Sequence, residues 1–335
     1  MRLRLRPGHP VVWRTPERLQ IGSEAVAILD DPPPGVERLV LALQAGAWLD
    51  ELYASCEGFG LDRAGLDRVL TELAPALDAG ATATAEAAPG SAAGDDAAAS
   101  VSWREGGPSV RGPRVRLVEL RSPRAHVALR DALARAGVEV LAVPAPSPAD
   151  GAGDAASDPR LVRRRTTARP DFVVEHADFV VPPSRCQGHL SADTPHLAVV
   201  AGDRWIDVTP VVVPGLTPCM RCDDLARIDA DPAWPAVATQ LGARRSTVTY
   251  DGALEACADA AVARIVLAYS RGEPAPLDGA TARFSDPLAG PLAKPRRFHP
   301  ACGCRDLPGS ATAPVPPRAA RRPARTTAAA CAERG

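Results

Sequence analysis

The chain opens with short apolar runs broken by polar turn residues. VVWRTPERLQIG (11–22) and AVAILDD (25–31) read as short strands. From Pro34-Gly35 the period lengthens: Val36, Leu39, Val40 and Leu43 recur at helical spacing, and Gly46 stops the helix. A second short helix carries Trp48, Leu49, Leu52 and Tyr53. A third takes Asp62 as N-cap and aligns Leu66, Val69, Leu70, Leu73 and Leu77 on one face. Strands followed by three short helices predict a small α+β unit of winged-helix type over residues 1–79.

Periodicity then disappears. Residues 80–109 are small and polar and are expected to form a flexible linker. A second pattern runs over 110–306. VRLVEL (115–120) suits a buried parallel strand, Ser122 and Pro123 suit an N-cap and first helical position, and Leu129, Leu133 and Ala136 give that helix its inner face. Gly137 ends it, and VEVLAV (138–143) is the next strand. A disordered insert is expected at about 144–170, including the basic cluster Arg160, Arg163, Arg164, Arg165 and Arg169. That cluster reads as a solvated loop, with phosphate or an acidic peptide as the alternative. DFVV (178–181) and HLAVV (196–200) extend the sheet, and RWIDVTPVVVPG looks like a hairpin strand. The predicted fold is α/β, a doubly wound, Rossmann-like, mostly parallel sheet. Helix 252–272 is expected to bury the stripe Leu254, Cys257, Ala261, Ile265 and Ala268. Residues 307–335, mostly Pro, Ala and Arg, read as a disordered tail.

At 335 residues the chain can hold two domains; aromatics are only 4%, so its cores must be built from Leu, Val and Ala. A formal net charge of −1 gives no global attraction to nucleic acid or to an anionic membrane. The third helix balances acids against arginines and shows no basic stripe, so a nucleic-acid partner is not expected. No run approaches the roughly eighteen apolar residues of a membrane span, and the N-terminus lacks a signal-peptide core. The expectation is a cytoplasmic protein with reduced thiols.

That compartment directs attention to four cysteines. Cys219 and Cys222 in PGLTPCMRCDD, with Cys302 and Cys304 in FHPACGCRD, form two close pairs able to supply four thiolates to one zinc. Four thiolates leave no open position for water, so the expected role is structural, one zinc per chain. Gly303 is expected to permit the sharp turn of the tighter pair. Ordinary thiols or a Cys-x-x-Cys redox pair are the alternatives. Cys56, Cys186, Cys257 and Cys331 show no ligand spacing.

The stretch PGLTPCMRCDDLARIDADPAWPAVATQL, the alanine-rich helix after it and the later HPACGC resemble the ThiF-like, ubiquitin-activating-type adenylyltransferases. The likeness is to their relatives in azoline and bacteriocin-type peptide maturation, over about residues 110–306. The resemblance implies that Cys219, Cys222, Cys302 and Cys304 bind structural zinc, that ATP and magnesium are held at a Gly-rich turn, and that the protein pairs as a homodimer. The first unit resembles, in size and element order, PqqD-like domains, in which a leader peptide adds a strand to a sheet edge.

The phosphate machinery departs from that pattern. Leu120-Arg121-Ser122-Pro123-Arg124 holds no glycine, and Pro123 has no N–H to donate. VEVLAV runs into Pro144-Ala145-Pro146 without the acid that would hold a ribose, and DFVV is followed by Pro182-Pro183-Ser184-Arg185 where a metal-binding Asp would stand, leaving Asp178 as a weak substitute. The expected ATP site is degenerate, and no catalytic residue is assigned. Cys186 with His189 reads as a loop pair, His299 as ordering the zinc turn by donating to a thiolate, and Asp223, Asp224 and Arg227 as a surface network. Trp234 caps the zinc lobe or meets a dimer partner.

The expected function is a non-catalytic scaffold that binds a substrate or leader peptide for a separate modifying enzyme. The alternatives are an ATP-dependent adenylyltransferase activating a carboxylate of a peptide or small carrier protein, using Arg121, Arg124 or Arg163 to Arg165, and a structural or regulatory zinc protein.

Overall fold

In this computed structural model the structure describes residues 1–79, 115, 117–121, 126–143, 170–244, 252–274 and 276–305. The expected linker and tail, the expected insert up to residue 169, and the turn Ser122-Pro123-Arg124 lie outside the described residues.

The first unit carries β1 (Arg2–Leu5), β2 (Val11–Thr15), β3 (Arg18–Ile21), β4 (Ala27–Asp30), α1 (Val36–Ala45), β5 (Ala47–Trp48), α2 (Leu49–Ala54), α3 (Arg63–Leu73) and β6 (Leu77–Ala79). Its strands form two three-stranded antiparallel sheets, β2-β3-β4 and β5-β1-β6. The charged opening concealed β1: in Arg2-Leu3-Arg4-Leu5 the arginines are exposed and the leucines buried, the alternation of a half-covered strand. Asp62 caps α3 by accepting from the Gly65 N–H at 2.7 Å. Leu77, expected on that helix, lies in β6 instead, after a 3-10 turn containing Pro75. Gly35 precedes α1 where a Cβ would stand 2.5 Å from the Phe59 Cα, so the helix enters against the backbone of the following 3-10 turn.

The second unit carries β7 (Leu117–Arg121), α4 (Val127–Arg135), β8 (Glu139–Val143), β9 (Phe172–Asp178), α5 (Pro183–Ser191), β10 (His196–Ala201), β11 (Ile206–Val208), α6 (Met220–Ala230), α7 (Trp234–Gly242), α8 (Gly252–Arg271), β12 (Thr281–Phe284) and β13 (Leu292–Lys294). They build a mixed sheet in the order β13-β12-β11-β10-β9-β7-β8. Strands β8, β7, β9 and β10 run parallel, but β10 to β13 pair antiparallel, so the sheet is less parallel than expected. The tight return from Ala201 to Ile206 permits only an antiparallel neighbour. Gly202 belongs to that return, where a Cβ would lie 2.3 Å from the Trp205 ring.

Val118, Leu120, Phe172, Val174, Leu197 and Val199 pack one sheet face against α4 and α8. On the other face Ala177, Ala198 and Val200 meet Cys186 of α5 and Met220 of α6.

Three expected elements move. The strand expected at 178–181 is β9, earlier in the chain and buried almost throughout; Glu175 and His176 interrupted its apolar run and hid it. Helix α4 starts after His126, which adopts a left-handed φ of 44°, rather than at Ser122. Helix α8 buries Leu254, Ala258, Val262, Ile265 and Val266, while Cys257 and Ala261 sit at the margin of the core.

The two units dock through the outer edge of β2. Gln240 of α7 donates to the Trp13 carbonyl at 2.7 Å and accepts from the Trp13 N–H at 2.9 Å, while Arg244 donates to the Val11 carbonyl at 2.6 Å. A side-chain amide thus takes the place of a further strand. Beneath it Val12 packs with Phe179, Val180, Val237 and Leu241, and Arg14 pairs with Asp231 at 2.6 Å. Deeper in the seam, Asp203 accepts from His9 Nδ1 at 2.7 Å and from the Ser23 N–H and hydroxyl.

Candidate functional site

The structure brings Cys219, Cys222, Cys302 and Cys304 together, with all four sulfurs within 4.8 Å of one another. Cys219 precedes the first turn of α6, and Cys222 lies one turn further on the same face, as the Cys-x-x-Cys spacing requires. The other pair arrives on the segment after β13, where Cys302 N–H bonds the His299 carbonyl and a 3-10 turn begins at Gly303. Neighbouring sulfurs stand 3.9 Å (219–222), 3.6 Å (219–302) and 3.7 Å (222–304) apart. Four thiolates about 2.3 Å from one tetrahedral ion stand roughly 3.8 Å apart, so these three spacings are those a metal ion requires. Gly303 is not what permits the turn: its φ is not positive, and an added Cβ would meet nothing within 4 Å.

Without an ion, the thiols of the cluster have opposing tendencies. Burial pushes Cys219 upward and raises Cys304 to about 11. Burial acts the same way on Cys222, yet hydrogen bonds from the His299 and Cys219 backbones and from neighbouring sulfurs hold it below an ordinary thiol. A divalent cation resolves the conflict by displacing the protons of the other thiols.

Charged groups hold the lobe closed around the sulfurs. Arg296, almost fully buried, pairs with Asp223 at 2.8 Å and approaches the Met220 sulfur at 3.6 Å. His299 bonds Asp229 through Nε2 at 2.8 Å, and the Ala301 N–H meets its Nδ1 at 3.1 Å. The expected contact of His299 with the metal lobe is therefore made by its backbone, while its ring ties the cysteine loop to α6. The expected surface network divides: Asp223 holds a buried arginine, Arg227 stacks over Trp234 at 4.8 Å, and burial raises the Asp224 carboxyl. Trp234 joins the cluster that covers Val12 of the first unit.

Cys186 and His189 lie on α5 and not in a loop; His189 bonds Glu175 at 2.8 Å, and burial, with Glu175 nearby, pushes the Cys186 thiol up to about 12. A thiol in that state is a poor nucleophile. Asp178 is the last residue of β9, at the carboxyl end of a central parallel strand rather than ahead of one. The preceding alternation gave no sign of Gln240 or Asp203 as partners, because each acts across elements far apart in sequence.

His196 supplies a pH prediction. Its ring is buried beside His189, Nδ1 faces the Thr194 carbonyl at 3.0 Å, and burial lowers it from 6.5 to about 4. The folded state thus refuses a proton that the unfolded chain accepts. Stability is complete above pH 6.5 and falls between pH 6.5 and 4, by about 3 kcal/mol over that window. Urea titrations across it should show the loss in the wild type and a much smaller one in His196→Gln; equal slopes would contradict the assignment.

No family model matches the chain, and no curated protein matches it in sequence. Among solved structures, a chain of the E. coli microcin synthetase McbBCD complex aligns over 90% of this chain and 99% of its own at 11% identity, with a TM-score of 0.40. E. coli MccB aligns over 91% of this chain and 97% of its own at 12% identity, TM-score 0.39. The heterocyclase TruD aligns over 90% of this chain at 18% identity, TM-score 0.36, and the aligned region spans 42% of TruD. Among the described residues, no helix is long and apolar enough to cross a membrane.

Proposed function

We propose that the chain is a non-catalytic scaffold of ThiF-like type, closed by one structural zinc, which holds a substrate or leader peptide for a separate modifying enzyme. The observation that carries this reading is the inequality of the two edges of sheet β2-β3-β4. The β2 edge is covered by Gln240 and Arg244 of the second unit. At the other edge, β4 has no strand neighbour beyond β3 among the described residues, and α3 packs alongside it. Asp31 N–H bonds the Glu17 carbonyl, so the antiparallel alternation turns the backbone groups of Ile28 and Asp30 outward. An extended peptide adding to β4 would pair with those groups, while α3 offers side-chain contacts. The zinc-closed unit fixes the sheet by its opposite edge.

The test is fluorescence titration of peptides encoded beside this protein, followed by Ile28→Pro. Proline there removes an outward N–H and no ladder bond. We expect micromolar binding that the substitution weakens by at least about tenfold at unchanged fold. Absence of binding by every such peptide at tens of micromolar would overturn the reading.

One observation favours the alternative of an ATP-dependent adenylyltransferase: Asp178 closes β9 at the end of the sheet where nucleotide-binding folds place their ligands. Arg124 and Arg163 to Arg165 lie outside the described residues. Calorimetry with ATP and magnesium separates the two, since the scaffold gives no binding heat and the enzyme binds at micromolar concentration.

A further inference from the structure

A second polar site lies where the units meet. Strand β1 places its arginines with period two, so Arg4 and the following Arg6 extend from the same side. From the second unit Arg244 reaches the same place just beyond α7. Together they line a hollow of about 410 Å³ whose wall, among the described residues, contains Phe179 and His9 but no aspartate or glutamate. An adjoining hollow of about 420 Å³ adds Arg204 and a single carboxylate, Asp78.

The existing contacts of these arginines orient them and leave most of their charge uncompensated. Arg4 donates to the Gln44 carbonyl at 3.3 Å and Arg244 to the Val11 carbonyl. Among the described residues, only Arg6 of these arginines meets an acid, Asp78 at 3.0 Å. Among the described residues lining the two hollows, four guanidinium groups therefore share one carboxylate. His9, buried in the seam, gives Nδ1 to Asp203 and keeps Nε2 without a hydrogen-bond partner. Guanidinium groups converging from two elements are suited to an oxyanion, which accepts paired N–H donors.

We infer that this seam is a binding site for an oxyanion, a carboxylate or a phosphate, that bridges Arg4 and Arg6 of the first unit to Arg244 of the second. The site requires the docked arrangement, and it stands independently of peptide addition at β4.

Calorimetry on the full chain at constant ionic strength, with inorganic phosphate and with glutarate, tests it. At least one should bind saturably in the millimolar range. Arg4→Gln/Arg6→Gln should weaken that binding by about tenfold or more, with an unchanged melting temperature. If that variant fails to fold, Asp78→Asn replaces it; freeing Arg6 of its only acid should tighten binding several-fold. Phosphate binding alone assigns a phosphoryl ligand, and glutarate binding assigns a carboxylate. The inference fails if neither anion binds the folded protein, if the double variant binds as tightly as the wild type, or if Asp78→Asn leaves the affinity unchanged.

Discussion

Cys302→Ala, or removal of the metal by a chelator, is expected to unfold the lobe that joins α6 to the end of the described chain and to loosen the sheet behind it. The reason is where the sulfurs lie. Cys219, Cys222 and Cys304 belong to the same buried cluster as Ala198, Val200, Trp205 and Met220, so an ion held by them would be continuous with the core of one sheet face. Structural zinc contributes on the order of 10 kcal/mol or more in small fingers, as much as the whole net stability of a typical domain. Without the ion, Asp223–Arg296 and Asp229–His299 remain to hold the two segments together. The first pair joins a buried arginine to a half-buried carboxylate, while the second has an exposed carboxylate and contributes little. The melting transition should fall steeply with loss of one bound metal per chain. Metal uptake should also release protons, because burial keeps Cys219 and Cys304 protonated when the site is empty. A Cys302→Ala protein that melts like the wild type with no metal bound would sink the assignment.

What could be read from the sequence was local chemistry with a short repeat. Asp62 as a cap, the apolar face of α1 and the two cysteine pairs all declare themselves within a few residues. What could not be read depends on partners distant in the chain. Strand β9 was hidden because Glu175 and His176 look like surface residues until His189, from the following helix, bonds Glu175 and the His126 ring covers His176. The closed edge of β2 was invisible because the group covering Trp13 is a glutamine 227 residues away. Gly303 shows the opposite error: a residue type that permits a turn was present where no such permission was needed. The docking of the units follows the same rule, since no pattern around His9, Ser23 or Arg14 foretells Asp203 and Asp231.

Asp207→Ala is expected to cost about 3–5 kcal/mol, through the arginine it leaves behind. Arg283 on β12 crosses to Asp207 on β11 with a two-pronged contact, Nε to Oδ1 at 2.7 Å and Nη2 to Oδ2 at 2.8 Å. Its third nitrogen reaches Glu24 of the first unit, and its plane stacks over Trp205 at 3.9 Å. Burial works against the guanidinium charge, but the bonds to Asp207 and Glu24 outweigh it and raise Arg283 above its ordinary value. Removing Asp207 leaves a cation whose side chain is 9% exposed facing only Glu24, which is half in solvent. Asp207→Leu/Arg283→Met should recover most of the loss, because an apolar pair of similar volume needs no compensating charge. Urea midpoints of the two variants decide the matter. A single substitution costing under about 1 kcal/mol would show that Glu24 alone suffices, and a double variant as unstable as the single one would locate the energy in docking to the first unit. Arg283 reaches across from the central sheet to Glu24, as Lys294 does at 3.8 Å, so this comparison also measures how far the stability of the second unit depends on the sheet docked against it.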